Sequence, residues 1–187
     1  MIRKTLGGSS QIHKVDKHNR HMWVHLDLGE GCYLFIAGCY IPHKGSTFYD
    51  RATDTKKEDL MEDIEQEAAT LTSDGEVIIL GDFNARIGSR QTDTSPLTPT
   101  WEKEECIDVT WTRESLDNKG LVDSHGEALL RMCNNTQLVI ANGMKRWPNS
   151  QRYTCHTASG QSVIDYLLLS ERAIENVENF YIKDLQP

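Results

Sequence analysis

Several features that would assign a chain to a familiar class are missing from these 187 residues. No apolar run approaches the roughly 20 residues that cross a bilayer, and the first residues lack the apolar core of a signal peptide. None of the five cysteines stands in a CxxC pair, and their odd number argues against a complete set of disulfides. We therefore expect an intracellular protein with reduced thiols and no membrane insertion.

An overall positive charge is also missing, since 28 Asp and Glu outnumber 20 Lys and Arg and give a net charge of -8. Proteins that coat nucleic acid through bulk electrostatics need clustered cations, so that class is excluded, although a local basic cleft is not. Residues 1–20 differ from the remainder, because they hold Arg3, Lys4, Lys14, Lys17 and Arg20 against Asp16 alone. We interpret this end as a solvated basic arm; a segment that contacts a protein partner is the alternative.

No internal repeat or long low-complexity tract divides the chain, and its length fits one domain with a sizeable core. The segments His21–Leu28 and Cys32–Pro42 are strand-like, and the glycines between them predict that the two strands are neighbours. Lys56–Leu71 repeats apolar residues at helical spacing beside acidic ones, which predicts a surface helix. Residues 89–116, rich in Thr, Ser and Pro, are predicted to form a mobile loop.

The second half of the chain alternates helix and strand signals. Ser124 followed by Glu127 is a capping-box pattern, which predicts that a helix begins there. The segments Gln137–Gly143, Arg152–Cys155 and Ser162–Ser170 have the composition of strands, and a short helical piece follows them. Strands and helices mixed in this way predict an α/β sandwich or an α/β sheet covered by helices.

Candidate chemistry first occurs where the apolar run Val77–Leu80 ends. We expect this run to be a central strand covered on both faces, with Asp82 at its carboxyl end, where sites are commonly built. Residues two apart in an extended chain point to the same side, which places the Asp82 carboxylate beside the Asn84 amide. Such a pair can hold a divalent metal or a water while donating to a phosphate oxygen. An ordinary turn is the alternative, because Gly, Asp and Asn also form turns.

A second carboxylate, Asp165, lies within the apolar segment Val163–Leu169. An unpaired ionised carboxylate in apolar surroundings is costly, so we expect Asp165 to have a partner. Such an aspartate is a candidate for orienting a histidine or a metal ligand. The alternative is an aspartate that faces solvent on an edge strand.

Four motifs together resemble the endonuclease/exonuclease/phosphatase superfamily, which has the DNase I-like fold. They occur in the order and approximate spacing of that family: CYIP at Cys39–Pro42, LGDFNARIG at Leu80–Gly88, LLRMCNNTQLVIANG at Leu129–Gly143, and YTC followed by SVIDYLLLS. The motifs look most like the endonuclease domains of LINE-type retrotransposons and of host proteins derived from them. The resemblance covers the chain from about His21 to its end.

The resemblance implies a four-layer α/β sandwich, in which two packed β-sheets are flanked by helices. It also implies a metal-dependent phosphodiesterase with Mg²⁺ or Mn²⁺ as cofactor and DNA as substrate, which is compatible with a nuclear location. By the same resemblance Asp82 activates or positions the attacking water, Asn84 binds the scissile phosphate, and Tyr40 supports the phosphate in the transition state. Asp165 steadies the centre, while Asp82 and Asn84 are the implied metal ligands.

Other parts of the family pattern are weaker or missing. Asn118 and Thr154 lie near positions where the family places substrate contacts. The glutamate that is the family's principal metal ligand is not found, and neither is the final histidine that pairs with the strand aspartate, since His156 precedes Asp165. We therefore expect a single domain over residues 1–187 that lacks the family's N-terminal strands and final strand and has impaired activity. A non-catalytic remnant and a binding module are the alternatives.

Overall fold

The structure is a computed structural model that describes residues 10–16, 20–51, 59–91, 112–117 and 122–183. Its helices are α1 Thr47–Arg51, α2 Asp59–Asp74, α3 Ser124–Thr136 and α4 Glu171–Asn176, with a short 3-10 helix at Pro148–Ser150. Its strands are β1 Ser10–Val15, β2 His21–Gly29, β3 Cys32–Tyr40, β4 Glu76–Asp82, β5 Val139–Ile140, β6 Cys155–Thr157, β7 Gly160–Ser162 and β8 Asp165–Leu169. The mixed α/β class predicted from the sequence is confirmed.

Six strands form one mixed sheet in the order β1-β2-β3-β4-β8-β5, and β6 pairs with β7 in a separate hairpin. A tight turn joins β2 to β3, as the glycines predicted, and Gly29, Glu30 and Gly31 all have positive φ there. β3 and β4 are parallel, whereas β4 and β8 are antiparallel. The carboxyl ends of β3 and β4 therefore lie beside the amino end of β8, at one end of the sheet.

One face of the sheet, which we call the helix face, packs against α2 and α3. Trp23 and Ile79 from the strands are fully buried there, together with Ile64 of α2 and Leu129 of α3. Burying an aliphatic or aromatic side chain of this size contributes about 1.5–3 kcal/mol. The predicted surface helix is confirmed as α2, and its first predicted residues, 56–58, lie outside the described ranges.

Helix α3 forms where the sequence predicted a helix, but its cap is different. The N-cap is Asp123, whose carboxylate accepts the backbone N–H of Gly126 at 2.7 Å. Glu127 makes an ion pair with Arg90 instead, at 2.8 Å. The predicted capping box of Ser124 and Glu127 is wrong, because an aspartate one residue earlier places a negative charge at the positive end of the helix dipole.

The opposite face of the sheet is covered only in part. At β5 and β8 it packs against α4 and Trp147. Over β1 to β4 large apolar side chains on this side are exposed: Ile12 at 69%, Val15 at 46%, Met22 at 43% and Leu80 at 46%. We call these four residues the open face. Contiguous exposed apolar surface of this kind is uncommon on monomeric proteins.

The open face corrects one expectation about β4. Val77 and Ile79 are fully buried on the helix face, but Leu80 lies on the other side and is exposed. A strand covered on both faces was therefore the wrong expectation, because none of the described elements packs over Leu80. A continuous apolar run does not by itself distinguish a strand covered on both faces from one that is half open.

The basic N-terminal segment is partly ordered into the sheet. Residues 10–15 form β1 and pair with β2, and both His13 and Lys14 contact the Glu67 carboxylate of α2. The interpretation as a solvated arm is wrong for these residues, because an ion pair and a strand ladder hold them. Residues 1–9 and 17–19 of that segment lie outside the described ranges.

Most of the predicted loop at residues 89–116, namely residues 92–111, also lies outside the described ranges. Arg113, at its far end, is buried and donates to the carbonyl oxygens of Gly88 at 2.6 Å, Arg90 at 2.7 Å and Asn142 at 2.8 Å. Burial lowers the pKa of the Arg113 guanidinium to about 10. These contacts fasten the chain that leaves β4 to the turn that follows β5.

The described cysteines, Cys32, Cys39, Cys133 and Cys155, are free thiols, and Cys106 lies outside the described ranges. Burial raises the pKa of the Cys39 and Cys133 thiols, which keeps both side chains neutral within the core. Among the helices that the structure describes, none combines the length and the apolar character needed to cross a membrane.

Candidate active site

Three of the predicted site residues stand in one row across neighbouring strands. Tyr40 ends β3 and is paired with Asp82, which ends β4, and Asp82 is paired with Asp165, which begins β8. Residues directly opposite one another project from the same face of a sheet. The phenol and both carboxylates therefore lie on the side that carries the open face. We call Tyr40, Asp82 and Asp165 the site row.

Asn84 joins the site row through a turn, not through strand alternation. β4 ends at Asp82, whose carboxylate accepts the backbone N–H of Asn84 at 2.8 Å, an Asx turn. Asn84 has a φ of 45°, in the left-handed region that asparagine tolerates. Its side-chain amide donates to the Ile41 carbonyl oxygen at 2.9 Å, which anchors the amide beside the end of β3. The two side chains are neighbours, as predicted, and the turn that was the alternative is what brings them together.

The pKa of the Asp82 carboxyl is raised. Partial burial is the largest cause, the backbone hydrogen bond from Asn84 opposes it, and the neighbouring charge of Asp165 raises the pKa further. His43, in the loop after β3, acts in the opposite direction and favours the charged form. A cation placed between the two carboxylates would relieve their repulsion in the same way.

Asp165 is half-buried and not sealed within the core, so the cost of its charge is smaller than the sequence suggested. Its strand lies between β4 and β5, which rules out the edge-strand alternative. Its backbone N–H donates to the Thr154 hydroxyl oxygen at 3.1 Å, and its carbonyl oxygen accepts from the Asn142 amide at 3.1 Å. Within the described ranges its neighbour across the strand pair is Asp82 and not a histidine.

The two predicted substrate contacts have different outcomes. The Thr154 hydroxyl oxygen accepts two backbone N–H groups, from Ile164 at 3.0 Å and from Asp165 at 3.1 Å. Thr154 therefore fixes the start of β8, and its hydroxyl hydrogen is left as a donor. Asn118 lies outside the described ranges.

The structure adds Arg20 to the site, which sequence reasoning missed. The backbone N–H of Tyr40 donates to the Arg20 carbonyl oxygen at 2.7 Å. The guanidinium carbon lies 5.3 Å from the centre of the Tyr40 ring and 4.6 Å from that of Phe48. The signal in the sequence was a basic residue directly before β2, the strand that pairs with β3, which carries Tyr40.

A second residue that sequence reasoning missed lies behind Asn84. His125, buried at the start of α3, donates a hydrogen bond from Nδ1 to the Asn84 backbone oxygen at 3.1 Å. Because a carbonyl oxygen only accepts, the imidazole carries its proton on Nδ1. This contact supports the left-handed backbone of Asn84, and no local sequence pattern announces it.

The donors of the site row fit a partly hydrated divalent ion. Mg²⁺ is commonly held by one or two carboxylates together with waters and substrate phosphates, and Asp82 with Asp165 supplies two carboxylates. In the part of the chain that the structure describes, no group of three or more His, Cys, Asp or Glu side chains could hold a metal. The residues therefore suit an ion that a phosphate helps to bind, and not one ligated by protein alone.

Comparisons with known proteins identify a family for the chain. A family model described as the Endonuclease/Exonuclease/phosphatase family matches residues 1–178. Among solved structures, the chain is similar to the human Nocturnin catalytic domain with bound sulfate anion, with 15% identity and a TM-score of 0.42. That similarity covers 88% of this chain and 49% of the other, so the chain spans about half of its length. No curated protein matches. The family match and the mixed α/β architecture confirm the predicted DNase I-like fold class. Within the described ranges one six-stranded sheet and a separate hairpin are present, and not the two packed sheets of the implied four-layer sandwich.

Proposed function

The chain belongs to the endonuclease/exonuclease/phosphatase family, and from that premise we propose that it hydrolyses phosphodiester bonds of DNA at the site row. Members of this family are nucleases and phosphatases that generally use divalent metal ions. The single observation that carries the proposal is the pair of carboxylates, Asp82 and Asp165, directly opposite each other on adjacent strands. Two such carboxylates can ligate a divalent cation that also binds the phosphate of a substrate.

Each residue has a role that follows from its chemistry. Asp82 positions the attacking water and accepts its proton, a task that suits a carboxylate whose pKa burial has raised. Asn84 binds a phosphate oxygen through its side-chain amide, which the Ile41 carbonyl oxygen anchors beside the end of β3. Tyr40 donates its phenol O–H to the phosphate as negative charge grows there.

Asp165 completes the cation site, and Thr154 and Asn142 hold its backbone in place. The divalent ion, Mg²⁺ or Mn²⁺, would be held by Asp82, Asn84 and Asp165, and when bound it neutralises charge that develops on the phosphate. The phosphate oxygens and waters would supply the remaining ligands, as the small number of protein donors requires.

The choice of DNA rests on the motifs GDFNARIG and SVIDYLLLS, which resemble LINE-type endonucleases. The site also allows a large substrate, because Tyr40 is 42% exposed and stands at the end of the sheet. A polymer can therefore approach the site row without a pocket that encloses a single nucleotide.

The second candidate function is binding of phosphodiesters without hydrolysis, by a protein of the same fold. It is favoured by the lack, within the described ranges, of a larger acidic cluster around Asp82 and Asp165. In this candidate the site row still binds a cation and a phosphate, but water attack is slow because too few groups act together.

The test is nicking of supercoiled plasmid DNA with Mg²⁺ and with EDTA. We expect Mg²⁺-dependent nicking by the unaltered protein and a loss of about a hundredfold or more in Asp82→Asn. The matched control is Asp74→Asn, because Asp74 is an exposed carboxylate near the opposite end of β4. EDTA-insensitive nicking, or equal rates for Asp82→Asn and Asp74→Asn, would contradict the proposal.

A further inference from the structure

We propose that Arg20 binds a phosphate adjacent to the scissile one, so that the site selects polynucleotides over diesters that contain a single phosphate. This inference rests on the proposed function and names the substrate class of the same site. It assigns a ligand to Arg20, a cation that extends the site row beyond Tyr40 toward β2.

The position of Arg20 follows from the register of four strands. Its carbonyl oxygen accepts from Tyr40, Tyr40 is paired with Asp82, and Asp82 is paired with Asp165. The end of the sheet thus presents a cation, a phenol and two carboxylates in order. A divalent ion at the carboxylates would bring the scissile phosphate to one end of this line, and Arg20 lies at the other.

Two aromatic rings hold the Arg20 guanidinium in place. It stacks on Tyr40 and Phe48, which fixes its plane and limits its rotamers. Asp16 accepts from the Arg20 backbone N–H and not from the side chain. Within the described ranges no carboxylate forms an ion pair with this guanidinium, and its Nε is buried without a hydrogen-bond partner. A fixed cation without a carboxylate is suited to bidentate binding of phosphate.

The distance favours a neighbouring phosphate over the scissile one. Two strand spacings of about 4.8 Å separate the backbones of Arg20 and Asp82, or about 10 Å in total. Tyr40, and not Arg20, is therefore the residue directly beside a phosphate bound between Asp82 and Asn84. A strand of nucleic acid that continues along the site row toward Arg20 would bring its next phosphate to the guanidinium, since nucleic acid carries one phosphate at each nucleotide.

The experiment uses two substrates and one binding assay. Hydrolysis of bis(p-nitrophenyl) phosphate, which has one phosphate, is compared with cleavage of an oligonucleotide duplex. Binding of the fluorescein-labelled duplex in EDTA is measured by anisotropy over a range of salt concentrations. The variants are Arg20→Gln and Arg20→Lys, and the matched control is Arg172→Gln, because Arg172 is an exposed arginine near the opposite end of β4.

For Arg20→Gln we expect KM for the duplex and the dissociation constant in EDTA to rise about tenfold, as for one charge-assisted hydrogen bond. The slope of log K against log salt should fall in magnitude by about 1. Hydrolysis of the single-phosphate diester should fall by a smaller factor than cleavage of the duplex, and Arg20→Lys should keep the salt slope. The Arg172→Gln variant should match the unaltered protein throughout.

Two results would overturn the inference. One is duplex binding by Arg20→Gln with unaltered affinity and salt slope. The other is an equal loss in Arg20→Lys and Arg20→Gln, since that would mean that stacking on Tyr40 and Phe48 is the whole role of the residue. Failure of the proposed function would give a different result. The unaltered protein would then hydrolyse neither substrate, whereas binding of the duplex in EDTA could still be measured.

Discussion

Asp82 and Asp165 face each other across the β4 and β8 strand pair, residue directly opposite residue. Both carboxylates are half-buried, and the charge of Asp165 helps to raise the pKa of the Asp82 carboxyl. A folded protein retains such a pair at a cost in stability. A cation that binds between the two carboxylates would offset that cost.

The raised pKa of Asp82 gives a pH-dependent stability prediction. The folded pKa lies above the unfolded value of about 3.9, so ionisation costs stability as pH rises from that value through the folded pKa. Asp82→Asn removes the cost, and its free energy of unfolding should exceed that of the unaltered protein at neutral pH. The gain should disappear below the unfolded pKa, where Asp82 is protonated in both states. Urea unfolding at several pH values measures this, and a difference that is independent of pH would count against it.

A glycine beside Asp82 controls the distance between β3 and β4. Gly81 has a φ of 154°, and a Cβ there would lie 1.9 Å from the Cys39 carbonyl oxygen. Gly81→Ala must push the strands apart and disturb the pairing of Tyr40 with Asp82, so we expect a loss of about 4 kcal/mol in the free energy of unfolding. Gly38→Ala is the matched control, because a Cβ at Gly38 meets nothing within 4 Å. Urea denaturation should leave that control within about 1 kcal/mol of the unaltered protein; similar losses for both would refute the steric account.

The open face predicts self-association. Apolar surface from Ile12 to Leu80 is exposed on one side of four strands, and burial in a complex would release it from water. We expect light scattering after size exclusion to show association that increases with concentration and is reduced in Leu80→Lys. Tyr181→Lys is the control, because Tyr181 is 57% exposed but lies outside the sheet. Association that is unchanged by Leu80→Lys and reduced by Tyr181→Lys would place the interface elsewhere.

Local patterns predicted the elements that form the site better than they predicted its surroundings. Alternation identified β2, a longer apolar run closed by Pro42 identified β3, and helical spacing identified α2. The position of Asp82 at the end of β4 followed from the apolar run before it. These signals are local, because the residues of each segment are sufficient to predict its secondary structure. The exposure of Leu80 was missed because it depends on what packs over the sheet, which no single segment records.

The positions of the site residues likewise depend on tertiary contacts that a single segment does not record. Asn84 was expected beside Asp82 by strand alternation, yet a left-handed turn supported by His125 places it there. Arg20 was interpreted as part of a solvated arm, because its stacking on Tyr40 depends on the register of two strands. Register and tertiary contacts are set by the whole fold, and a composition count cannot supply them.

The most direct measurement is the initial rate of Mg²⁺-dependent plasmid nicking by four proteins: the unaltered chain, Asp82→Asn, Asp165→Asn and the double variant. If the two carboxylates act as one unit, each single variant should lose about a hundredfold or more, and the double variant should fall no further than the worse single one. Rates near that of the unaltered protein in either single variant, losses that multiply in the double variant, or no EDTA-sensitive nicking by the unaltered chain would contradict the account.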